Sequence, residues 1–171
     1  LGPIAEVLQG AQAQLQDAAH SLSAYLQHSD LDPDRLAAAV EALVRDRLLE
    51  AFPDHRIAGE EHGSVGEGSI YWSIDPIDGT RSFISGMPTW GILLGLVVDE
   101  RPMVGIMHQP FTGETWYAAP GTGARLRIGS SEFALRTRAD ATLADAVLYS
   151  THPTMFQPPQ MLERYQRLAA A

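Results

Sequence analysis

The chain has 171 residues, a mass of 18.6 kDa, 12 basic against 21 acidic residues for a net charge of −9, and no cysteine. This length suggests one domain, and the lack of Cys excludes disulfides, thiolate zinc sites and a cysteine nucleophile. The acidic balance argues against a nucleic-acid backbone binder, which needs a basic stripe, and the longest apolar run, Trp90 to Val98, is nine residues against the roughly 18 needed to span a bilayer.

Residues 3–28 predict a helix. Pro3 suits a first turn, and Ile4, Val7, Leu8, Ala11, Leu15, Ala18, Ala19, Leu22 and Leu26 recur at helical spacing. A break follows at Ser29-Asp30-Leu31. Asp32 as N-cap and Pro33 as first helical residue then open a second helix, which runs to about Phe52 and is stopped by Pro53. From Arg56 the period changes. Arg56 to Gly59 predicts a short strand, Glu60 to Gly68 a Gly-rich acidic loop, and Ser69 to Ile74 a strand leading into Asp75-Pro76-Ile77-Asp78-Gly79-Thr80. Trp90 to Asp99 and Pro102 to His108 predict a hairpin. Glu114 to Ala119, Ala124 to Ile128, Glu132 to Arg136 and Ala146 to Ser150 predict further strands, and residues 158–171 a helix. Helices followed by a run of strands imply an α+β fold, with helices layered against an antiparallel or mixed sheet.

All basic residues are Arg, and the chain has neither Lys nor Asn. This excludes a Schiff-base or P-loop lysine and N-glycosylation. No charged-then-apolar leader opens the sequence, so the expected location is cytoplasmic.

Six of the 21 carboxylates fall between Asp54 and Asp78: Asp54, Glu60, Glu61, Glu67, Asp75 and Asp78. A solvated acidic loop is the default explanation of such a run. Two features weigh against it. Asp75 and Asp78 follow directly on an apolar strand, where an unpaired carboxylate is costly. They are also set in a restricted backbone: Pro76 fixes its own φ and pushes Asp75 to an extended conformation, while Gly79 permits a sharp turn or a close approach to a ligand. Carboxylates at a strand end can hold hard divalent cations through oxygen, and free N–H groups at the start of the helix-like Arg81-Ser82-Phe83 can hold an anion. Cation and anion together suggest phosphoryl chemistry. Mg²⁺ suits this donor set better than Zn²⁺, since there is no Cys and no paired His motif.

Gly59-Glu60-Glu61, followed by Trp72-Ser73-Ile74-Asp75-Pro76-Ile77-Asp78-Gly79-Thr80 and Phe83, resembles the inositol monophosphatase superfamily of Mg²⁺-dependent phosphatases. The resemblance runs from Ala51 to about Ala119 and includes Phe52-Pro53-Asp54-His55. Phe83-Ile84-Ser85-Gly86, Pro88-Thr89-Trp90-Gly91 and Gln109-Pro110 look most like the histidinol-phosphatase-type branch. The resemblance implies a sugar-phosphatase-like αβαβα fold with a mostly antiparallel sheet, of which residues 1–171 would be the N-terminal metal- and phosphate-binding part.

The resemblance also implies roles. Glu60 would ligate a first Mg²⁺, Asp75 would bridge two ions, the Ile77 carbonyl would complete the first site, and Asp78 would bind the second. Asp78, Gly79 and Thr80 would bind phosphate, the last two through backbone N–H groups. The Thr80 hydroxyl and Glu60 would orient the attacking water. Glu61 is either the holder of a water on a third ion or a surface charge. Arg81 either steers an anionic substrate or pairs with an acid.

The implied cofactor is two or three Mg²⁺ ions and the implied partner a small phosphate substrate, with no nucleic acid, no membrane and a homodimeric assembly. Histidinol phosphate is the first substrate expectation and inositol phosphate the second. The alternatives are a non-catalytic metal- or phosphate-binding relative and a phosphatase of nucleotide or sugar bisphosphates.

Two departures stand beside the resemblance. A Thr-x-Ala-Asp segment usual before the second helix is absent, which leaves Ala37 where its Asp is expected and Asp34 as a poorly spaced substitute. A Trp-Asp-x-Ala motif carrying a further metal ligand does not occur before Ala171. Among the remaining residues, His62 reads as an exposed loop residue, His108 as a satisfied core or rim histidine, His152 as a turn residue, and Trp72 and Trp90 as core.

Overall fold

Helix α2 spans Pro33–Ala51 and forms where its local signals agree. The Asp32 carboxylate accepts the Asp34 N–H at 3.2 Å, and Pro33 fills a first-turn position that needs no intrahelical donor. Leu36, Ala37, Val40, Val44 and Leu48 are buried along one face. The helix closes when the Phe52 N–H bonds back to the Leu48 carbonyl at 2.7 Å, and Pro53 blocks a further turn.

The computed structural model describes residues 5–15, 32–139, 142–150, 152 and 155–170. The first predicted helix is present over residues 5–15 (α1), and the rest of that prediction lies outside the described residues. The chain divides into two units, Leu1–Leu135 and Arg136–Ala171.

In the first unit an eight-stranded sheet has the order β2-β1-β3-β4-β5-β6-β7-β8. Its strands are β1 (Arg56–Gly59), β2 (Gly63–Val65), β3 (Ile70–Asp78), β4 (Gly91–Val98), β5 (Arg101–Gln109), β6 (Glu114–Ala119), β7 (Gly123–Ile128) and β8 (Ser131–Leu135). Only β1 and β3 pair in parallel; every other neighbour is antiparallel. Helix α3 (Thr80–Ile84) follows β3. The fold is α+β with a mostly antiparallel sheet, as the element order predicts.

Alternation places Trp72, Ile74, Ile92, Leu94, Leu96, Val104 and Ile106 on one face, where they form a single core with Leu8, Ala11 and Leu15 of α1 and with the buried stripe of α2. Trp72 is 0% exposed, and its indole N–H donates to His55 Nδ1 at 3.1 Å. Phe52 stacks on the His55 ring with centroids 5.3 Å apart. Burial holds the His55 pKa below its ordinary value against an opposing pull from Asp54, which favours the neutral ring that can accept this bond. Phe52-Pro53-Asp54-His55 is therefore a packing unit that seats α2 on the sheet. Trp90 is core as expected, and His108 is buried with Nδ1 2.9 Å from the Thr115 hydroxyl.

Three expectations are corrected. The acidic loop Glu60–Gly68 contains β2, whose residues are all exposed and so carry no alternating apolar signal. The strand expected to end at Ile74 continues to Asp78, across Pro76, because the ladder is interrupted there and needs no N–H from proline. Ala146 to Ser150 is not a strand; Val147, Leu148 and Tyr149 are exposed.

In the second unit a 3₁₀ turn at Leu143–Asp145 is closed by the Thr142 hydroxyl, which donates to Asp145 Oδ2 at 2.7 Å. Helix α4 (Pro159–Ala169) matches the predicted C-terminal helix, with Tyr165 stacked on Phe156 at 4.7 Å. Among the described residues no helix is long and apolar enough to cross a membrane.

Candidate active site

The site grows out of a fault in the β3–β4 ladder. Asp75 pairs with Leu93 and Asp78 with Gly91, so β3 carries one residue more than β4 over this stretch. Pro76 and Ile77 together oppose Ile92, which is the count of a β-bulge. Both are buried, breaking the alternation that holds from Tyr71 to Pro76. In an unbroken strand Asp75 and Asp78 would face opposite sides, because the side-chain period is two. The extra residue shifts the phase and returns Asp78 to the side of Asp75.

Gly79 then turns the chain. Its φ of 86° is left-handed, and a Cβ there would stand 2.9 Å from the Thr89 carbonyl oxygen and 3.3 Å from Trp90 Cα. Only glycine fits this position without strain. Helix α3 starts at Thr80, whose hydroxyl donates to the Ile77 carbonyl at 3.1 Å. The Ile77 N–H donates to Asp75 Oδ1 at 3.2 Å. The N–H groups of the first helical residues have no intrahelical acceptor.

Glu60 lies in the turn between β1 and β2, exposed, and the parallel pairing of Gly59 with Ile74 brings it beside β3. Asp75 is partly buried and feels this directly. Its pKa is pushed up from 3.8 to about 6, by burial first and then by the negative charges of Glu60 and Asp78. Glu61 is also raised, by partial desolvation and by repulsion from Glu60, Glu41 and Asp34. The predicted carboxylates therefore share one negative field. Asp78 is exposed at the end of β3, as is Arg81 in α3, and among the described residues no acid lies within ion-pair distance of Arg81.

The chemistry of the donor set fits a hard divalent cation, being all oxygen, with a carboxylate whose ionisation is opposed by its neighbours. Among the described residues, however, no three Asp, Glu or His side chains converge into a ready-made cage. The exposed side chains of Glu60 and Asp78 would have to close on a cation. Asp75 also lines an open cleft of about 650 Å³ on the sheet face away from α1 and α2, with Ser73, Leu93, Met107, Trp116 and Leu135.

Ala37, where the resemblance places an Asp, is buried in the core, and Asp34 sits exposed in the first turn of α2. His62 is exposed but close to Glu41, its Nδ1 3.3 Å from the carboxylate. Glu41 and Arg45 behind the Glu60 turn are the residues that sequence reasoning missed. The signal was available: Glu41 interrupts the apolar stripe Ala37, Val40, Val44, Leu48 at core spacing.

Comparison with known proteins gives the site its context. The inositol monophosphatase family profile matches residues 5–169. A fructose-1,6-bisphosphatase/inositol-1-monophosphatase of Aquifex aeolicus is 42% identical over 98 residues, covering 54% of this chain and 37% of that protein. A histidinol-phosphatase of Mycobacterium tuberculosis is 35% identical over 136 residues, covering 78% of this chain and 51% of that protein. An inositol monophosphatase structure from Zymomonas mobilis superposes with a TM-score of 0.82 at 25% identity, covering 96% of this chain and 65% of that one. The chain thus spans between 37% and 51% of the length of these two relatives. By the extent of the profile match and the shared sheet, the chain belongs to the inositol monophosphatase family.

Proposed function

We propose that the protein hydrolyses a small phosphomonoester in a Mg²⁺-dependent reaction, with histidinol phosphate first and inositol phosphate second as substrates. The observation that carries the reading is the bulge at Pro76-Ile77, which gathers Asp75 and Asp78 on one side beside Glu60 and ends at the Gly79 turn. The similarity to a histidinol-phosphatase over 78% of the chain favours that substrate order.

In this reading Glu60, Asp75, Asp78 and the Ile77 carbonyl hold Mg²⁺, and Gly79 and Thr80 N–H groups hold the phosphate. Bound Mg²⁺ supplies Lewis-acid chemistry, neutralising phosphoryl charge and making water more acidic. The chain's own groups do the positioning. The Thr80 hydroxyl donates a hydrogen bond to the Ile77 carbonyl at 3.1 Å, which leaves its lone pairs to accept from a water. Glu60 accepts a second bond from that water and orients it in line with the phosphate. The N–H groups of the turn stabilise charge on the phosphoryl oxygens.

The test is phosphate release by the full chain from histidinol phosphate and inositol phosphates, with and without Mg²⁺. The expected result is Mg²⁺-dependent release that falls at least about a hundredfold in Asp75→Asn, the loss typical of a main electrostatic group. A metal-independent rate, or an Asp75→Asn variant as fast as the parent, overturns the reading. Ala37, in place of the expected Asp, favours a second reading, a non-catalytic metal- and phosphate-binding relative. No turnover with calorimetric Mg²⁺ binding intact is the result that selects it.

A further inference from the structure

We infer that Glu41 is a positioning residue that sets the backbone on which Glu60 is presented; the inference rests on the proposed reading of Glu60 as a cation ligand. Glu41 is 0% exposed, on the core side of α2, where a carboxylate is costly without partners. Apart from Arg45, four residues on in α2, its partners lie in the Glu60 turn. Oε2 accepts the Glu61 N–H at 2.6 Å, and Oε1 accepts the His62 N–H at 3.1 Å and the Arg45 Nη2 at 2.7 Å. The same Arg45 nitrogen donates to the Gly63 carbonyl at 2.7 Å. Helix α2 therefore grips the turn at Glu61, His62 and Gly63.

Glu60 is pinned between two fixed points. On one side Gly59 is held in the sheet, paired with Ile74 in parallel and with Gly63 in antiparallel register. On the other side is the Glu61 amide on Glu41. A side chain at Gly59 would fall into the Glu41 carboxylate, so the glycine of Gly59-Glu60-Glu61 is the space that the buried acid occupies. The arrangement explains why a helix core contains an acid at all. A hydrophobic residue at position 41 would pack as well but would release two amides and the turn they carry.

The closing experiment measures Mg²⁺ affinity of the full chain by calorimetry in the parent, Glu41→Gln, Glu60→Gln and the double variant. Amide hydrogen exchange is followed in parallel. The parent should protect the Glu61 and His62 amides, and Glu41→Gln should speed their exchange while the β1–β3 ladder amides stay protected. Glu41→Gln should weaken Mg²⁺ binding about tenfold, the lower end of the range for groups that orient a metal ligand, and should add no further loss in the Glu60→Gln background. Glu41→Asp keeps the charge but shortens the reach; it should move both readouts in the same direction and serves if Glu41→Gln does not fold. An equal loss with and without Glu60 overturns the inference, as do Glu61 and His62 amides that already exchange freely in the parent. A parent chain that binds no Mg²⁺ overturns the reading of Glu60 and this inference with it, and it is recognised because the amide protection persists.

Discussion

Asp75→Asn will make the metal-free chain more stable at about pH 7.5 and, on the proposed reading, will remove the response to Mg²⁺. In the folded chain Asp75 has its pKa raised from 3.8 to about 6. Between these values the folded state binds more protons than the unfolded one, so stability falls as pH rises through about 6. Above that, the ionised carboxylate beside Glu60 and Asp78 costs about 1–3 kcal/mol. Asparagine carries no charge and keeps an oxygen for the Ile77 N–H. Urea unfolding in the presence of a chelator should therefore show a gain of that size at about pH 7.5 and almost none at about pH 4. Added Mg²⁺ should stabilise the parent and leave the variant unmoved. A variant less stable than the parent at both pH values would show that Asp75 is a structural acid.

The second large effect is expected at Gly79. Gly79→Ala puts a Cβ 2.9 Å from the Thr89 carbonyl oxygen in a backbone with φ of 86°. The left-handed conformation costs about 1–2 kcal/mol for an L-residue, and the forced contact adds about 1–3 kcal/mol. The combined loss, about 2–5 kcal/mol, should appear as a lowered urea midpoint with an unchanged slope. On the proposed reading, phosphate binding should fail with it, since the turn must open to accept the methyl. An alanine variant with the parent's midpoint would mean that the Thr89–Trp90 segment yields freely.

Much of this was legible in the sequence because local signals and burial agreed. Asp32-Pro33 and Pro53 bound α2 in the sequence as in the structure, and the β4–β5 hairpin follows from two apolar runs split by Glu100-Arg101. The carboxylate motif was recognisable because its residues are consecutive. What escaped has no local signature. Strand β2 is held by edge pairing and by the Arg45 bond to the Gly63 carbonyl, and presents only exposed residues. The apolar stretch Ala146 to Ser150 has strand-like composition, but no partner strand meets it among the described residues. Glu41 acts on residues 20 and 21 positions further along the chain, so periodicity shows only that something is anomalous there.

The bulge at Pro76-Ile77 also alters how β3 answers to mutation. Up to Pro76 the residues that must be apolar are even-numbered: Trp72, Ile74 and Pro76. After the fault the parity reverses, with Ile77 inside and Asp78 outside. Deleting either Pro76 or Ile77 would repair the ladder with Asp78 still opposite Gly91 and on the side of Asp75, so the fault accommodates the extra residue without disturbing the two carboxylates. The imperfection in hydrogen bonding works as a frame shift in space: it lets a strand built for the core end in a polar site.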